Sequence, residues 1–201
     1  AGNTNTFSTA ANWKENSVPT QNGHKLVFPC FTEEKSLTND LGISYSGVVT
    51  TSGDSCKSLK IDELTLSNEA IFQRTDQSKI GSYLTVGSIE GASDKLTLAG
   101  VAPSGLKDIT TKSIIAYKTN LWDAYKPTES VELYGGSSAS LGDLADNVSV
   151  TAHNYSSISL TGGDKKANTI TLDGGTINVR PKMNYSPENR SWTVGETDSE
   201  L

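Results

Sequence analysis

The sequence has few residues of the kinds that several specialised functions require. Its 201 residues include two Cys, two His and one Met, and Lys and Arg occur singly except for Lys165 and Lys166. A nucleic-acid or anionic-membrane surface needs clustered positive charge, which a chain of net charge −6 without a basic cluster does not offer. No run approaches the roughly 20 apolar residues of a membrane-spanning helix. We therefore expect neither nucleic-acid binding nor membrane insertion by this segment.

The rest of the composition is typical of a secreted β-rich protein. Charged residues make up 20% of the chain and hydrophobic residues 34%, and Ser, Thr, Asn and Gly fill much of the remainder. The chain starts at Ala1 without a signal-peptide pattern, so we expect a processed mature form or a piece of a longer protein. We predict an extracellular or cell-surface location.

A short phrase recurs along the chain: a branched aliphatic residue, a polar residue, Leu, any residue, then Gly or Asn. Its copies are Leu64–Asn68, Leu96–Gly100, Val131–Gly135, Ile158–Gly162 and Ile170–Gly174. Two apolar side chains two residues apart share one face of a strand, and Gly or Asn afterwards suits a backbone position with positive φ. Such units cannot bury their apolar face alone, so their repetition predicts stacked coils.

The wider pattern predicts an all-β protein, because helical periodicity is absent beyond one possible turn at 120–125. Alternating segments bounded by Gly, Asn, Asp or Ser predict strands at 25–28, 43–50, 58–61, 63–66, 70–73, 83–86, 95–98, 109–117, 130–134, 148–152, 157–160, 169–172 and 176–179.

Two all-β architectures fit these strands. In a β-sandwich or jelly roll, Asp173–Gly175 would be a hairpin turn between antiparallel strands 169–172 and 176–179. In a parallel β-solenoid, or β-helix, the same Gly would turn a corner within one coil. Because the apolar pairs recur at unequal steps, which a coil with unequal sides produces, we predict the solenoid and keep the sandwich as the alternative.

The first 30 residues look like a cap on the solenoid. An open solenoid end exposes strand edges and core side chains, which Phe7, Trp13 and Phe28 are bulky enough to cover. We therefore predict a β-helix domain over 1–180, including a cap over 1–30. Residues 181–201 would be a polar tail that serves as a linker or as a docking segment, with one more strand at 191–194.

This N-terminal block also carries a family resemblance. The block contains, in order, Asn5–Phe7, Asn12–Trp13, Asn16, Pro19, Gly23 and Leu26–Pro29. This pattern resembles the start of the extracellular region of amnionless, the receptor subunit that anchors cubilin. A looser form of the pattern resembles the entry coil of bacterial autotransporter passengers. Both resemblances imply entry into a β-helix with the Trp capping the first coil.

Two further features suggest a secretory route. Cys30 and Cys56 are placed to form a disulfide that closes a loop of about 27 residues, although two buried free thiols are the alternative. N-glycosylation acceptor sequences begin at Asn147, Asn154, Asn184 and Asn189.

The residues that do chemistry in other β-helices are not clustered here. Acidic residues are spread singly, and no Ser lies in a nucleophile motif, so we predict no catalytic residue, metal site or cofactor. Asp143 and Asp146 form the closest acidic pair, which turn chemistry explains as well as a cation does. The segments 162–164 and 173–175 partly match calcium-binding repeats, so calcium is the one alternative kept.

The best sequence candidate for a ligand site is aromatic. Tyr117, Trp122, Tyr125 and Tyr134 lie in or around an apparent insertion between strands, where they can form a platform for sugars. The competing interpretation is that Trp122 covers the flank of a coil.

Three functions remain in contention. We predict a secreted, non-enzymatic structural or adhesive β-helix that self-assembles or scaffolds another extracellular protein. The first alternative is an amnionless-like receptor-subunit ectodomain, which requires a membrane segment beyond Leu201. The second is a carbohydrate-binding or carbohydrate-cleaving β-helix.

Overall fold

The protein is described from a computed structural model over residues 5–51, 53, 55–75, 84–90, 93–101, 103, 110–121, 126–140, 148–160, 169–179 and 191–194. These residues form a parallel β-solenoid, in which strands of successive coils pair side by side. Every strand pairing given below is parallel. The prediction of an all-β solenoid is confirmed, and the sandwich alternative is not favoured.

The chain divides into two compact units, and the N-terminal unit comprises residues 1–93 and 101–109. It opens with two short 3₁₀ turns, at Ala10–Asn12 and Lys14–Asn16. Its strands are β1 His24–Phe28, β2 Lys35–Leu37, β3 Ser44–Thr50, β4 Leu59–Arg74 and β5 Leu84–Glu90. Strand β1 pairs with β3, and the long strand β4 pairs with β2, β3 and β5.

Strand β4 joins three segments that the sequence predicts as separate strands. The expected corner at Asn68 is wrong, because the backbone stays extended through this position. The Ser67 hydroxyl donates to the carbonyl of Tyr45 on β3, 3.2 Å away, which ties the middle of β4 to its neighbour. The pairing with β3 is irregular at this segment: Leu66 pairs with Tyr45 and Ile71 with Gly47, so residues 67–70 of β4 form a bulge.

The C-terminal unit comprises residues 94–100 and 110–201. Its strands are β6 Ser93–Ala99, β7 Thr110–Tyr117, β8 Asn120–Leu121, β9 Lys126–Tyr134, β10 Ser138–Ser140, β11 Ser149–His153, β12 Ser157–Leu160, β13 Thr169–Asp173, β14 Thr176–Val179 and β15 Ser191–Val194. Strands β7, β9, β11, β13 and β15 pair in that order, and β8, β10, β12 and β14 form a second sheet.

The core of the C-terminal unit is a ladder of apolar side chains. Ile114, Val131, Val150 and Ile170 are successive partners on neighbouring coils, and each is at most 2% exposed. A second row follows two residues later, because alternate residues share a strand face: Ala116, Leu133, Ala152 and Leu172. Burying each large member of these rows contributes about 1.5–3 kcal/mol.

Corners follow the strands where the repeat predicts them. Gly100, Gly135 and Gly174 have positive φ of 71°, 64° and 68°. Gly174 leads from β13 into β14, which lies in the other sheet, so the segment is a corner within one coil and not a hairpin turn. The fourth predicted corner glycine, Gly162, lies outside the described residues.

Three short strands were not predicted, namely β2, β8 and β10. Each has two or three residues, too few for an alternating pattern to stand out. The predicted strand at 191–194 is confirmed as β15, and its partner is β13.

Candidate functional site

The outer face of the C-terminal unit presents its side chains in three columns. We call outer face the solvent side of the sheet formed by β7, β9, β11 and β13. Strand alternation turns every second residue outward, and parallel pairing places residues of equal position side by side. The first column is Ser113, Ser130, Ser149 and Thr169; the second is Ile115, Glu132, Thr151 and Thr171; the third is Tyr117, Tyr134, His153 and Asp173.

The third column is a continuous stack of rings that ends in an ion pair. The rings of Tyr117 and Tyr134 have centroids 5.0 Å apart and planes 17° apart. The imidazole of His153 lies 4.1 Å from the Tyr134 ring at 9°, and its Nδ1 is 2.9 Å from Asp173 Oδ2. These spacings follow from the separation of about 4.8 Å between neighbouring strands.

Tyr134 is further held by Glu132 from its own strand. Its hydroxyl donates a hydrogen bond of 2.5 Å to Glu132 Oε2. This bond, with a smaller effect of burial, raises the pKa of Tyr134 to about 12, so the hydroxyl keeps its proton at physiological pH. Tyr134 is therefore a neutral donor fixed in one orientation.

The stack determines how a ligand could approach. The face of Tyr134 is covered on both sides by neighbouring rings, so its edge alone is open to solvent. Tyr117 is 40% exposed and is the ring that offers most surface. The column thus presents ring edges and polar tips, which suit hydrogen bonding and edge contacts better than flat stacking of a sugar.

The first column is lined by hydroxyl groups. Ser130 Oγ and Ser113 Oγ are 2.9 Å apart and share a hydrogen bond across the coils. Ser149 is exposed and Thr169 is half-buried. Thr151 and Thr171 of the second column are also uncharged and polar, whereas Glu132 and Asp173 place carboxylates on the same face.

A turn beside the third column carries one of the predicted glycosylation sequences. Asn154 is exposed, and the next residue, Tyr155, has a positive φ of 66° and is 90% exposed. Ser156, the third residue of the acceptor sequence, is fully buried. A glycan on Asn154 would therefore have to be attached before this turn closes. Asn147, Asn184 and Asn189 lie outside the described residues.

The N-terminal unit contains an aromatic cluster at the predicted cap. Trp13 lies 5.3 Å from Phe7 and 5.8 Å from Phe28, measured between ring centroids. Two aromatic neighbours were not predicted: Tyr45, 5.9 Å from Phe7, and Phe31, 6.5 Å from Phe28. Phe7 and Tyr45 are fully buried, and burial raises the pKa of Tyr45 to about 12. The three predicted cap residues thus lie together in one packed cluster.

A groove of about 520 Å³ opens beside this cluster. Its lining includes Phe7, Trp13, Phe28 and Phe31 of the cluster. The other lining residues are Asn5, Thr6, Asn12, Lys14, Val27, Pro29, Lys35, Leu37 and Thr51. Val27 is 63% exposed, so an apolar side chain of β1 is open to the solvent here.

The predicted disulfide is present next to the groove. Cys30 and Cys56 are bonded, with Cα atoms 5.0 Å apart, and Cys56 is buried. The amide of Lys57 donates to the carbonyl of Phe31 over 2.8 Å, which fixes the two segments a second time. The loop that carries Pro29 and Phe31 is therefore held in place by the disulfide and by this hydrogen bond.

The predicted ligand platform is described only in part. Tyr117 and Tyr134 are in contact, whereas Trp122 and Tyr125 lie outside the described residues, as do Asp143, Asp146 and the segment 162–164. His153 and Asp173 complete the column and were not predicted as site residues. A signal was available for His153: Val150–Asn154 matches the repeat if Ala is accepted in place of Leu, and Asp173 lies in the copy Ile170–Gly174.

Within the part of the chain that the structure describes, no three His, Cys, Asp or Glu side chains are grouped closely enough to hold a metal ion. Among the same residues, no helix has the length and apolar character needed to cross a bilayer. Comparison with family models, curated proteins and solved structures finds no match to the chain.

Proposed function

We propose that the protein is an extracellular, non-enzymatic β-solenoid with a structural or adhesive role, and that the outer face of the C-terminal unit is its contact surface. The observation that carries the proposal is the ordering of that face into columns that repeat from coil to coil. The disulfide between Cys30 and Cys56 supports an oxidising, extracellular environment.

The chemistry of the face favours contact over catalysis. His153 and Asp173 are the two groups most suited to proton transfer, but they are paired with each other, and His153 is stacked on Tyr134. Their arrangement stabilises neighbouring coils and offers no obvious position for a reacting group between them. We therefore assign these side chains a structural role.

The same face is suited to association with another surface. Ser149, Thr151, Thr169 and Thr171 can exchange hydrogen bonds with a partner without the large desolvation cost of buried charges. The net charge of −6 is small for a chain of 201 residues, so repulsion between copies is weak. We accordingly propose self-association, or association with another extracellular protein, through this face.

Charge placed on the face tests the proposal. Thr151→Lys with Thr171→Lys would put two ammonium groups side by side on β11 and β13, whereas Asn178→Lys would put one on the exposed side of β14 in the second sheet. We expect the wild type and the Asn178 variant to form concentration-dependent oligomers in size-exclusion chromatography with light scattering, and the double variant to stay monomeric. A wild type that is strictly monomeric at high concentration and binds no surface would contradict the proposal.

A second candidate function is carbohydrate binding by the same face. It is favoured by the exposed edge of Tyr117 beside the Ser113 and Ser130 hydroxyls, a combination of aromatic and polar groups that suits sugars. Glycan-array binding of the wild type that is lost in Tyr117→Ala, in a variant that is still folded by circular dichroism, would support this function. Release of soluble sugars from a bound polysaccharide would contradict the non-enzymatic assignment.

A further inference from the structure

The groove of the N-terminal unit has the properties of a small-molecule site. Its volume of about 520 Å³ lies within the range of about 300–1,000 Å³ that is usual for ligand pockets. All its lining residues belong to the N-terminal unit, between Asn5 and Thr51. The groove is therefore a candidate ligand site in its own right.

The walls of the groove are mostly apolar, and four of the lining residues are aromatic. Phe7 and Phe28 are buried beneath it, and Trp13 and Phe31 are half-buried at its side. The parts of Trp13 and Phe31 that remain open to water are unfavourably hydrated, and an apolar chain or ring would release that water on binding. The body of the ligand is thus expected to be apolar.

The charges at the groove determine the head group. Lys14 and Lys35 are the ionisable residues among those that line it, and neither Asp nor Glu contributes to the lining. This positive rim stands out on a chain of net charge −6. Lys14 Nζ lies 3.8 Å from Glu15, but both side chains are at least 80% exposed, so that pair is weak and can exchange for a ligand.

We propose that the groove binds a small amphiphile with an apolar body and a single carboxylate head, of the fatty-acid type. The apolar body lies against Trp13, Phe28 and Phe31, and the carboxylate accepts hydrogen bonds from Lys14 or Lys35 at the rim.

The disulfide makes this groove a preformed site. Cys30 lies between Pro29 and Phe31, and both of these residues line the groove. Fixing this segment in advance reduces the ordering that binding would otherwise require. Reduction of the disulfide is therefore expected to weaken binding by about threefold to tenfold while leaving the groove residues unchanged.

Three ligands with the same hydrocarbon chain test the proposal by isothermal titration calorimetry at neutral pH. We expect dodecanoate to bind saturably with one site per chain, dodecanol to bind about threefold to fivefold more weakly, and dodecyltrimethylammonium to bind weakest. Equal affinity for dodecanoate and dodecanol would overturn the assignment of the head group. Absence of saturable binding by all three would overturn the site.

Variants locate the binding. The double variant Lys14→Gln and Lys35→Gln should lose about threefold to fivefold in dodecanoate affinity and little in dodecanol affinity, whereas Lys60→Gln, an exposed lysine of β4 outside the groove, should change neither. Phe31→Ala, at a half-buried position, should weaken both ligands. Dodecanoate binding that is unchanged in the double variant and in Phe31→Ala would place the ligand elsewhere and overturn the proposal.

Discussion

His153 stacks on Tyr134 across two coils of the C-terminal unit, with ring centroids 4.1 Å apart and ring planes within 9° of parallel. The same imidazole is 2.9 Å from Asp173 on the following coil. The His153 side chain therefore links three successive coils on the outside of the sheet. The apolar ladder cannot do so, because its side chains are buried on the other side. The outer face is part of what holds the coils in register.

Removing the two rings singly and together measures this link. We expect a double-mutant cycle of Tyr134→Leu and His153→Leu to give a coupling of about 1 kcal/mol in the free energy of unfolding, the usual size for stacked rings. Urea denaturation followed by circular dichroism provides the four values. A coupling near zero would mean that the rings are adjacent without stabilising each other.

The hydrogen bond from Tyr134 to Glu132 has a consequence at alkaline pH. In the folded protein the pKa of Tyr134 is about 12, above the usual tyrosine value of about 10. The stability that this hydrogen bond contributes is therefore present below pH 10 and is lost as the pH rises through about 12. At about pH 11 a tyrosine of ordinary pKa is mostly ionised, whereas Tyr134 is mostly neutral.

Glu132→Gln isolates this effect because it replaces the charged acceptor with a neutral one. Spectrophotometric titration should show a larger ionised fraction of tyrosine at about pH 11 in the variant than in the wild type, because the largest cause of the raised pKa of Tyr134 is removed. Tyr45, whose pKa is raised to about 12 by burial, should stay neutral in both proteins while they remain folded. Identical titration curves would show that Glu132 does not accept this hydrogen bond in solution.

The sequence was sufficient to predict the architecture because its repeat contains the residues for two features of a coil, an apolar inward face and a sharp corner. Pairs such as Ile170 and Leu172 mark an inward face, and Gly174 marks a corner with positive φ. The prediction failed at Asn68, where the same phrase continues as strand. An Asn tolerates positive φ without requiring it, so the neighbouring strand decided the conformation.

The columns of the outer face were harder to predict. Tyr117 and Tyr134 were predicted to belong to one site, but on the ground that an insertion lay between them. Their contact arises from register, since each occupies the fourth position of its repeat, and so do His153 and Asp173. A repeat that requires Leu at its third position does not detect this alignment, because Ala116 and Ala152 take the place of Leu in two coils.

The bulge in β4 ends opposite Gly47 of β3, and the pairing there depends on this glycine. Its φ is 120°, and a Cβ atom here would lie 1.8 Å from the backbone carbonyl oxygen of Ile71 on β4. Since backbone atoms of a paired strand cannot move aside cheaply, Gly47→Ala should destabilise the protein by more than about 3 kcal/mol.

Gly42→Ala is the matched control for this substitution. Gly42 also has a positive φ, of 62°, but no atom lies within 4 Å of the added Cβ. The Gly42→Ala substitution should therefore lower the free energy of unfolding by only about 1–2 kcal/mol, the cost of backbone strain. Equal losses in chemical denaturation of the two variants would show that the close approach to Ile71 is not a constraint.

The disulfide contributes to stability as well as to the groove. Cys30 and Cys56 are 26 residues apart, and closing a loop of this length stabilises the folded state by about 3.5 kcal/mol in the chain-entropy model. We expect the double variant Cys30→Ser and Cys56→Ser to lose about this much in urea denaturation. Addition of a reductant should lower the wild type to the level of the variant and leave the variant unchanged; an effect of reductant on the variant would point to a different cause.

The stacking of successive coils is tested most directly by nuclear Overhauser contacts between methyl groups. In a sample with labelled Ile and Val methyl groups, the account predicts consecutive contacts from Ile114 to Val131, from Val131 to Val150 and from Val150 to Ile170. The contradictory result would be the absence of these contacts together with antiparallel backbone contacts between 169–172 and 176–179, the pattern of a hairpin in a sandwich.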